Sequence, residues 1–411
     1  MAAGFARNVD GRAERRVMFY SHDTYGLGHL RRTLTLARHL RAGRPLLTQL
    51  VVTGSPMAHR FRLPPGADYI KLPSVVKVGA ERYEARTLAI PFARIRDLRR
   101  ELILDAARHF RPDAIVVDNV PAGLKGELGP ALRELKAASC RIVLGLRDVV
   151  DEPEWVRRAW TRNGSFELLD EVYDRILVYG RRDVHDVAAE YGFSPDAAAK
   201  TRFVGYLRPE PPRASVAQVR AELELEGDRL VLVMAGGGGD GYRLLRGVLD
   251  AIGLRRDGPR LDCLLLGGPF MPAEDRRRVL ELTEAEPSVR YRDFVEDPAA
   301  HIAAADAVVA MGGYNSVCEL LAAGRPALVV PRVSPRREQL IRAEALSARG
   351  MLRMVHPAEA TPERLLAEIE RLLARPERPP RMPMDGLPAA AAELDGLLAE
   401  PAASRIVAIG G

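Results

Sequence analysis

Residues 311–330 read MGGYNSVCELLAAGRPALVV, and this stretch is the strongest indication of the fold class. An apolar run at 307–311 ends in two glycines, a helical segment follows, and a second apolar run begins after Pro326. Short apolar runs joined by helices are typical of parallel strands buried between helices. Glycines at the end of such a strand leave backbone N–H groups free at the start of the helix, an arrangement that suits a phosphate. The stretch therefore predicts an α/β sheet with an anion site at one edge.

The same alternation continues along the chain in both directions. Apolar runs that predict strands lie at 17–21, 47–53, 69–72, 114–118, 141–146, 175–179, 202–204, 230–235, 263–266, 290–294, 307–311 and 327–330. The clearest helix is predicted over 88–110. The residues predicted to form its apolar face are Phe92, Ile95, Leu98, Leu102, Ala106 and Phe110. The arginines predicted to be solvated are Arg94, Arg96, Arg99 and Arg100. The pattern predicts two Rossmann-like α/β domains.

Clustered prolines mark the boundary between these domains. The segment 208–212 reads RPEPP, which continues neither a strand nor a helix. We expect an N-terminal domain over 1–207, a C-terminal domain over 208–380, and a tail over 381–411. A last helix near 389–398 could pack on either domain.

Composition limits the function classes. The 411 residues are 47% hydrophobic, and 61 basic against 55 acidic side chains give a net charge of +6. This mild, interspersed charge fits an anionic substrate and at most peripheral membrane contact, and it argues against nucleic acid. The three cysteines form no CxxC pair, and neither a signal peptide nor an apolar run of ~18 residues is present. We expect a cytoplasmic protein.

A glycine-rich turn follows the first predicted strand. Residues 21–29 read SHDTYGLGH, so Gly26 and Gly28 precede His29 where a helix begins. The crevice beyond the carboxyl ends of parallel strands is the usual binding position, and a helix N-terminus favours a neutral imidazole. His29 is therefore a candidate general base, with helix capping as the alternative.

A second glycine turn, GGGGDG at 236–241, opens the C-terminal half. Gly237 and Gly238 lie between a strand and a helix, where free N–H groups form a phosphate cradle. No Lys-Ser/Thr pair follows, which excludes a Walker loop. A plain flexible turn is the alternative reading.

The stretch quoted first carries the third group of candidates. Asn315 and Ser316 can cap the helix that follows Gly313. Glu319, one turn further, can accept hydrogen bonds from ribose hydroxyls, or it is an ordinary surface carboxylate. Glu338 and Gln339 begin a later helix and could bond sugar hydroxyls.

These residues resemble a known family. The stretch GGYNSVCELLAAGRPALVVPR, the preceding FVED at 294–297 with AAD at 304–306, and the N-terminal GLGHLRRTL are similar to GT-B glycosyltransferases of the MurG type. Within that type, the chain resembles a group with SHDTxGLGHLRR and GGYNxxxE motifs. The resemblance spans both halves and implies a GT-B fold, in which two Rossmann-like domains face each other across a cleft.

The resemblance also implies roles for the candidate residues. An NDP-sugar donor, with UDP favoured, would place its base at the backbone of Phe294 and Val295 and its ribose at Glu319. The residues implied for the diphosphate are Gly237, Gly238, Gly313, Asn315 and Ser316. The sugar would face Glu338 and Gln339, and His29 would face the acceptor.

The acceptor side matches the family less well. Asp118 and Asn119 follow one predicted strand, and Arg147 and Asp148 follow another, both at the cleft side. With Gly26 and Gly28 they are candidates for acceptor binding, although the four residues after the strands could instead cap turns. The acceptor itself is an unknown small molecule, glycan or lipid.

Two departures bear on the reaction. Retaining GT-B enzymes carry two glutamates with seven residues between them, the second at the position of Glu319, but here the first position is Met311. We therefore expect inversion and transfer of a hexosyl or N-acetylhexosaminyl group. No DxD motif is placed for a diphosphate, so we expect neither a metal nor a cofactor. The alternatives are a nucleotide-sugar hydrolase and a non-catalytic nucleotide-sugar-binding protein, and a 2-epimerase is disfavoured because its several catalytic carboxylates are not evident.

Overall fold

The computed structural model describes residues 15–22, 28–78, 82–225, 227–255, 260–374 and 379–400. Its strands, in chain order, are β1 Arg16–Ser21, β2 Thr48–Thr53, β3 Ala67–Lys71, β4 Val75–Lys77, β5 Tyr83–Ala85, β6 Ala114–Asp118, β7 Arg141–Arg147, β8 Arg175–Tyr179, β9 Thr201–Phe203, β10 Arg229–Met234, β11 Leu261–Leu266, β12 Val289–Arg292, β13 Ala307–Ala310, β14 Ala327–Val329 and β15 Arg353–Met354.

Its helices are α1 Gly28–Ala42, α2 Phe92–Phe110, α3 Gly129–Ala137, α4 Pro153–Arg162, α5 Ser165–Glu171, α6 Val187–Tyr191, α7 Pro195–Ala199, α8 Val216–Glu222, α9 Tyr242–Gly253, α10 Ala273–Glu284, α11 Pro298–Ala304, α12 Tyr314–Ala323, α13 Glu338–Ser347, α14 Pro362–Ala374 and α15 Gly386–Ala399. Every predicted strand is present, with bounds that differ by three residues or fewer.

Two parallel sheets organise the fold. The N-terminal sheet has the order β3-β2-β1-β6-β7-β8-β9, and the C-terminal sheet has the order β12-β11-β10-β13-β14-β15. Their central strands are fully buried, which explains their continuous apolar sequences. In both sheets the strand order reverses beside the first strand, between β1 and β6 and between β10 and β13. Ligands bind at such reversal points in open α/β sheets.

We call each sheet with its helices a lobe, and the chain passes between the lobes twice. It first crosses after β9, where the prolines of 208–212 lie outside helix and strand as expected. It crosses again before α15, which packs on the N-terminal lobe. There Asp395 pairs with Arg44, and Glu393 lies 3.3 Å from Arg175. This observation decides where the last predicted helix packs.

The predicted solvated face of α2 is wrong at Arg99. Its guanidinium is 1% exposed and donates to Glu127 at 2.6 and 2.7 Å, while Tyr20 donates to the same carboxylate at 2.6 Å. Leu98 and Leu102, predicted to face the core, are 43% and 37% exposed. An amphipathic pattern cannot reveal this reversal, because a buried carboxylate from another element makes burial of the arginine favourable.

The short antiparallel pair β4–β5 was not predicted. It lies between β3 and α2 and packs its Val75 with Ile95 and Leu124 in a small cluster apart from the main core. Within the described ranges, no helix is both long and apolar enough to cross a membrane.

Candidate active site

A cleft of about 250 Å³ lies between the lobes at the carboxyl ends of both sheets. It is lined from the N-terminal lobe by residues that follow β1 and by the last residue of β7. From the C-terminal lobe it is lined by residues at or after the ends of β10, β11, β12 and β13. His29 and Glu319 share this cleft. The other predicted site residues that line it are Gly28, Arg147, Gly237, Phe294, Val295, Gly313, Asn315, Ser316, Glu338 and Gln339. Gly26 lies outside the described residues.

His29 is fixed from behind by a buried carboxylate. It stands in the first turn of α1, and its Nδ1 lies 2.5 Å from Oδ2 of Asp118 at the end of β6. Arg32 donates to both Asp118 oxygens, at 2.8 and 2.7 Å. Burial alone would raise the pKa of Asp118, but Arg32 and His29 outweigh it and lower that pKa to about 2. An ionised Asp118 accepts a hydrogen bond from Nδ1–H, so the neutral ring keeps its proton on Nδ1 and Nε2 of His29 is the proton acceptor.

A second imidazole lies beside the first. The rings of His22 and His29 are edge to face, with centroids 5.8 Å apart. Burial and then the charge of His29 lower the pKa of His22 to about 3, so this ring is neutral. Its Nδ1 is buried and has no hydrogen-bond partner among the described residues. His22 therefore adds a polar but uncharged surface next to the candidate base.

The opposite wall presents the start of α12. The residue before this helix is Gly313, which has no side chain to cap it, so the prediction that Asn315 and Ser316 are caps is wrong. The side chain of Asn315 instead reaches across the cleft and donates to the Gly28 carbonyl at 3.1 Å. The first backbone N–H groups of a helix lack partners within the helix, and its dipole favours an anion there. No side chain of the described residues caps α12, so its first N–H groups are candidates for binding an anion in the cleft.

The glycine turn after β10 packs on a second glycine turn after β11. A Cβ on Gly238 would lie 2.3 Å from the Gly267 carbonyl, and Gly238 has a φ of +91°. Gly238 itself does not line the cleft, so its contribution is to hold Gly236 and Gly237 there. Only glycine allows this approach of two backbones. Gly238 was expected to contact a diphosphate, but it lies behind the cleft surface and supports Gly236 and Gly237.

Glu319 lies deep in the cleft and is bridged to the other lobe. Its carboxylate is almost fully buried, and Oε1 accepts from Nη2 of Arg31 at 2.5 Å. Its Oε2 is buried and has no hydrogen-bond partner within the described part of the chain. This geometry excludes the reading of Glu319 as an ordinary surface carboxylate. A buried carboxylate oxygen without a partner is an open acceptor for a ligand hydroxyl.

Glu338 and Gln339 begin α13 and are both buried. Arg332 ties them together, since its backbone N–H donates to Oε1 of Gln339 at 2.9 Å and its side chain pairs with Glu338. Oε2 of Glu338 has no partner among the described residues. Phe294, at the end of the cleft formed by β12, is 49% exposed. The C-terminal wall thus runs from an exposed aromatic ring through Glu319 to these two polar side chains.

Asp148 does not line the cleft, although it was a candidate for acceptor binding. Its fully buried carboxylate accepts from Nε and Nη2 of Arg342 at 2.9 and 2.7 Å, and Tyr206 donates to it at 3.1 Å. Arg342 belongs to α13, so this ion pair joins the two lobes. A side chain enclosed in this way cannot contact an acceptor. Asp148 instead fixes the position of α13.

Asn119 follows Asp118, which holds the candidate base, and is hydrogen-bonded to Arg147. Asn119 has a left-handed backbone (φ +64°), which asparagine tolerates, and its Oδ1 accepts from Nε of Arg147 at 3.2 Å. Asp118 and Asn119 therefore lie behind the cleft surface, and each orients a residue that does line it. A capping role alone does not describe them.

Sequence reasoning did not single out Arg31, Arg32 and the glycines at 267–268. Arg32 lies three residues after His29, a spacing that places both on one face of a helix and was the available signal. Gly267 and Gly268 follow an apolar strand in the same way as the two glycine turns that were recognised. Among the residues with described positions, no group of three or more His, Cys, Asp or Glu side chains is arranged to hold a metal ion.

The C-terminal lobe is similar to a known protein family. Residues 231–394 match the family described as the glycosyltransferase family 28 C-terminal domain. This match covers β10 to α14, the elements that form the C-terminal wall of the cleft, and ends within α15.

Relatives with similar sequences share one name, UDP-N-acetylglucosamine–N-acetylmuramyl-(pentapeptide) pyrophosphoryl-undecaprenol N-acetylglucosamine transferase. The protein of that name from Corynebacterium efficiens is 31% identical over 163 residues, which are 40% of this chain and 42% of the relative. In that alignment the chain spans less than half of its relative. The protein of that name from Clavibacter michiganensis is 29% identical over 367 residues, 86% of this chain and 87% of the relative.

Solved structures extend the likeness to both lobes. The crystal structure of MurG from Acinetobacter baumannii superposes with a TM-score of 0.57 at 15% identity, and the match covers 93% of this chain and 99% of that structure. The expected resemblance to MurG-type glycosyltransferases is confirmed, and the fold is the expected GT-B arrangement of two facing Rossmann-like units.

Proposed function

We propose that the protein is a glycosyltransferase that moves a hexosyl or N-acetylhexosaminyl group from a UDP-sugar to an acceptor hydroxyl. One observation carries the proposal: an imidazole oriented by a buried carboxylate faces, across one cleft, an uncapped helix N-terminus and a buried glutamate. The first wall suits proton removal, and the second suits a nucleoside diphosphate.

The comparisons support UDP-N-acetylglucosamine as the donor to test first. The family 28 match covers the wall that would bind the nucleotide, and the relatives are named as transferases that use this donor. The buried, unpartnered Oε2 of Glu319 fits a ribose hydroxyl. Gln339 keeps its amide N–H groups for the sugar, because its Oε1 already accepts from Arg332.

His29 acts as the general base in this mechanism. The acceptor hydroxyl donates its proton to Nε2, and the acceptor oxygen forms a bond to the anomeric carbon. Positive charge develops on the imidazole, and the ionised Asp118 stabilises it through Nδ1. Arg32 keeps Asp118 ionised, so this carboxylate orients the ring without taking its proton.

The bond from the anomeric carbon to the diphosphate oxygen breaks on the opposite side. The leaving diphosphate carries the electron pair to the N-terminus of α12 and the turn at Gly236 and Gly237, which stabilise its charge without a metal ion. One displacement between two opposed walls inverts the anomeric configuration, and Met311 stands where a retaining enzyme carries its first glutamate. We further propose a cytoplasmic enzyme, in line with three buried free cysteines.

The test incubates the protein with UDP-N-acetylglucosamine, with and without a cell extract that supplies acceptors, and measures released UDP and free sugar. We expect UDP release that depends on the extract, a product of inverted configuration by NMR, and the same rate in EDTA. Free sugar released without extract would instead indicate a hydrolase. Tight nucleotide binding without turnover across extracts would indicate a binding protein.

A further inference from the structure

Arg31, Arg32 and Arg147 line the cleft, and among the described residues only Arg147 has no carboxylate at ion-pair distance. Arg147 is the last residue of β7 and lines the cleft. Its side chain donates only to neutral oxygens, Oδ1 of Asn119 at 3.2 Å and the Val150 carbonyl at 3.4 Å. Within the described residues, Nη1 has no hydrogen-bond partner and no carboxylate lies at ion-pair distance.

Three described carboxylates near Arg147 each pair with another arginine. Asp118 is held by Arg32 through two hydrogen bonds, and Asp148 is held by Arg342. Glu338, the third, pairs with Arg332. Burial, together with the charges of Arg32 and Arg342, lowers the pKa of Arg147 to about 10, so it remains a cation at neutral pH. A surplus cation in a protein-lined cleft favours an anionic ligand.

The same strand end positions this cation and the candidate base. Asp118 holds His29, and the next residue, Asn119, holds Arg147. The separation between the proton acceptor and the free guanidinium is therefore set by two consecutive residues of β6 and the turn after it. A molecule whose hydroxyl lies at His29 would present a neighbouring group to Arg147.

The donor has other partners on the opposite wall. Its diphosphate would lie at α12 and the glycine turn, which belong to the C-terminal lobe. A negatively charged donor sugar would lie beside Glu338, whose charge is the strongest favourable one acting on Arg147. The free donors of Arg147 are thus left for the acceptor.

We propose that Arg147 is a specificity residue that binds a carboxylate or phosphate group of the acceptor, close to the hydroxyl that receives the sugar. This inference rests on the proposed glycosyltransferase function. A guanidinium fork matches both anions with two parallel hydrogen bonds, whereas an ammonium does not. Acceptors without such a group would be poor substrates.

The experiment titrates inorganic phosphate and acetate into the protein saturated with UDP, so that the helix N-terminus is already occupied. Binding is followed by phosphorus and carbon NMR line widths in wild type, Arg147→Met and Arg147→Lys. Arg158→Met, which removes an exposed arginine of α4, is the matched control. The affinity for UDP, measured by calorimetry in each variant, reports whether the cleft is intact.

We expect at least one anion to bind wild type and the control equally, and to bind Arg147→Met about tenfold more weakly or worse, the cost of losing a charge-assisted hydrogen bond. Arg147→Lys should lie between them, and UDP affinity should not change. The anion with the larger loss identifies the acceptor group as phosphate or carboxylate.

Equal binding by wild type and Arg147→Met, or no binding of either anion at millimolar concentration, would overturn the inference. A fall in UDP affinity in Arg147→Met would also overturn it, because the arginine would then serve the donor. Failure of wild type to bind UDP at all would count against the proposed function itself, which separates the two conclusions.

Discussion

The two points of strand reversal have the same topology and opposite chemistry. Between β1 and β6 the cleft is built from charged side chains, with His29, Asp118 and Arg32 in one hydrogen-bonded group. Between β10 and β13 it is built from glycines and an uncapped helix, whose donors are backbone N–H groups. The first wall depends on side-chain identity, whereas the second depends on backbone shape.

Under the proposed function, this difference assigns proton removal to one wall and diphosphate binding to the other. A proton acceptor needs a side chain with a chosen ionisation state, which neighbouring charges provide. A diphosphate needs several fixed donors, which glycine turns and helix ends provide without side chains. Substitutions on the two walls should therefore fail in different ways.

The largest expected effect is on the N-terminal wall. His29→Ala should lower turnover at least ~100-fold, because it removes the proton acceptor, while UDP affinity should stay within about twofold. Initial rates with UDP-N-acetylglucosamine and calorimetry with UDP measure the two quantities. Full activity in this variant would exclude His29 as the base.

The backbone wall is tested by a pair of glycines. Gly238→Ala should destabilise the fold by about 3 kcal/mol, since its Cβ would meet the Gly267 carbonyl and its φ is positive. At Gly313 an added Cβ would meet no atom within 4 Å, and φ is −59°, so Gly313→Ala should leave the free energy of unfolding unchanged. Its Cβ would instead occupy the space before α12 and weaken UDP binding. Urea unfolding and calorimetry separate the effects, and a stable Gly238→Ala protein would contradict the packing argument.

Acid should lower the free energy of unfolding because it protonates Asp118 behind the N-terminal wall. The folded-state pKa is about 2, below the ordinary value of 3.8, so the ionised form stabilises the fold fully above pH 3.8 and ceases to do so as the pH falls through about 2. This contribution is about 2 kcal/mol. The difference in unfolding free energy between wild type and Asp118→Asn should shrink across this range. A difference that is independent of pH would mean that Asp118 is not held ionised by Arg32.

The smallest expected effect concerns Glu319, a buried carboxylate on the C-terminal wall. Glu319→Gln should weaken UDP binding about tenfold, because a charged acceptor for ribose hydroxyls becomes a neutral one. Calorimetry with UDP and with uridine diphosphate lacking the ribose 2′-hydroxyl tests the assignment. The loss of affinity caused by Glu319→Gln should be smaller for the ligand without the 2′-hydroxyl. An equal loss of affinity for both ligands would show that the 2′-hydroxyl does not contact Glu319.

The sheets were predictable because buried parallel strands leave a local signal. Residues 114–118 and 263–266 are continuous apolar runs, and the glycines that end the strands mark the cleft edge. His29 and Gln339 could be singled out because each lies at a helix start, and Glu319 because it lies one turn beyond the glycines that precede α12. Their convergence in one cleft is a consequence of the facing sheets.

The remaining site features depend on contacts between distant segments. Asp148 and Arg342 are separated by 194 residues, and Arg99 is buried only because Glu127 meets it. Local sequence patterns do not encode such pairs, so Asp148 was expected at the acceptor and Arg99 in solvent. Asn315 was expected to cap its own helix, but it bonds to the other lobe because the Gly28 carbonyl lies within reach.

The second crossing, before α15, has a mechanical consequence. Because α15 rests on the N-terminal lobe, two separate backbone connections link the halves of the molecule. Two adjacent backbone connections permit the lobes to rotate about the axis that joins the connections, and they restrict rotation about other axes. A hinge motion about these two connections would change the width of the cleft and keep the imidazole of His29 opposite the N-terminus of α12.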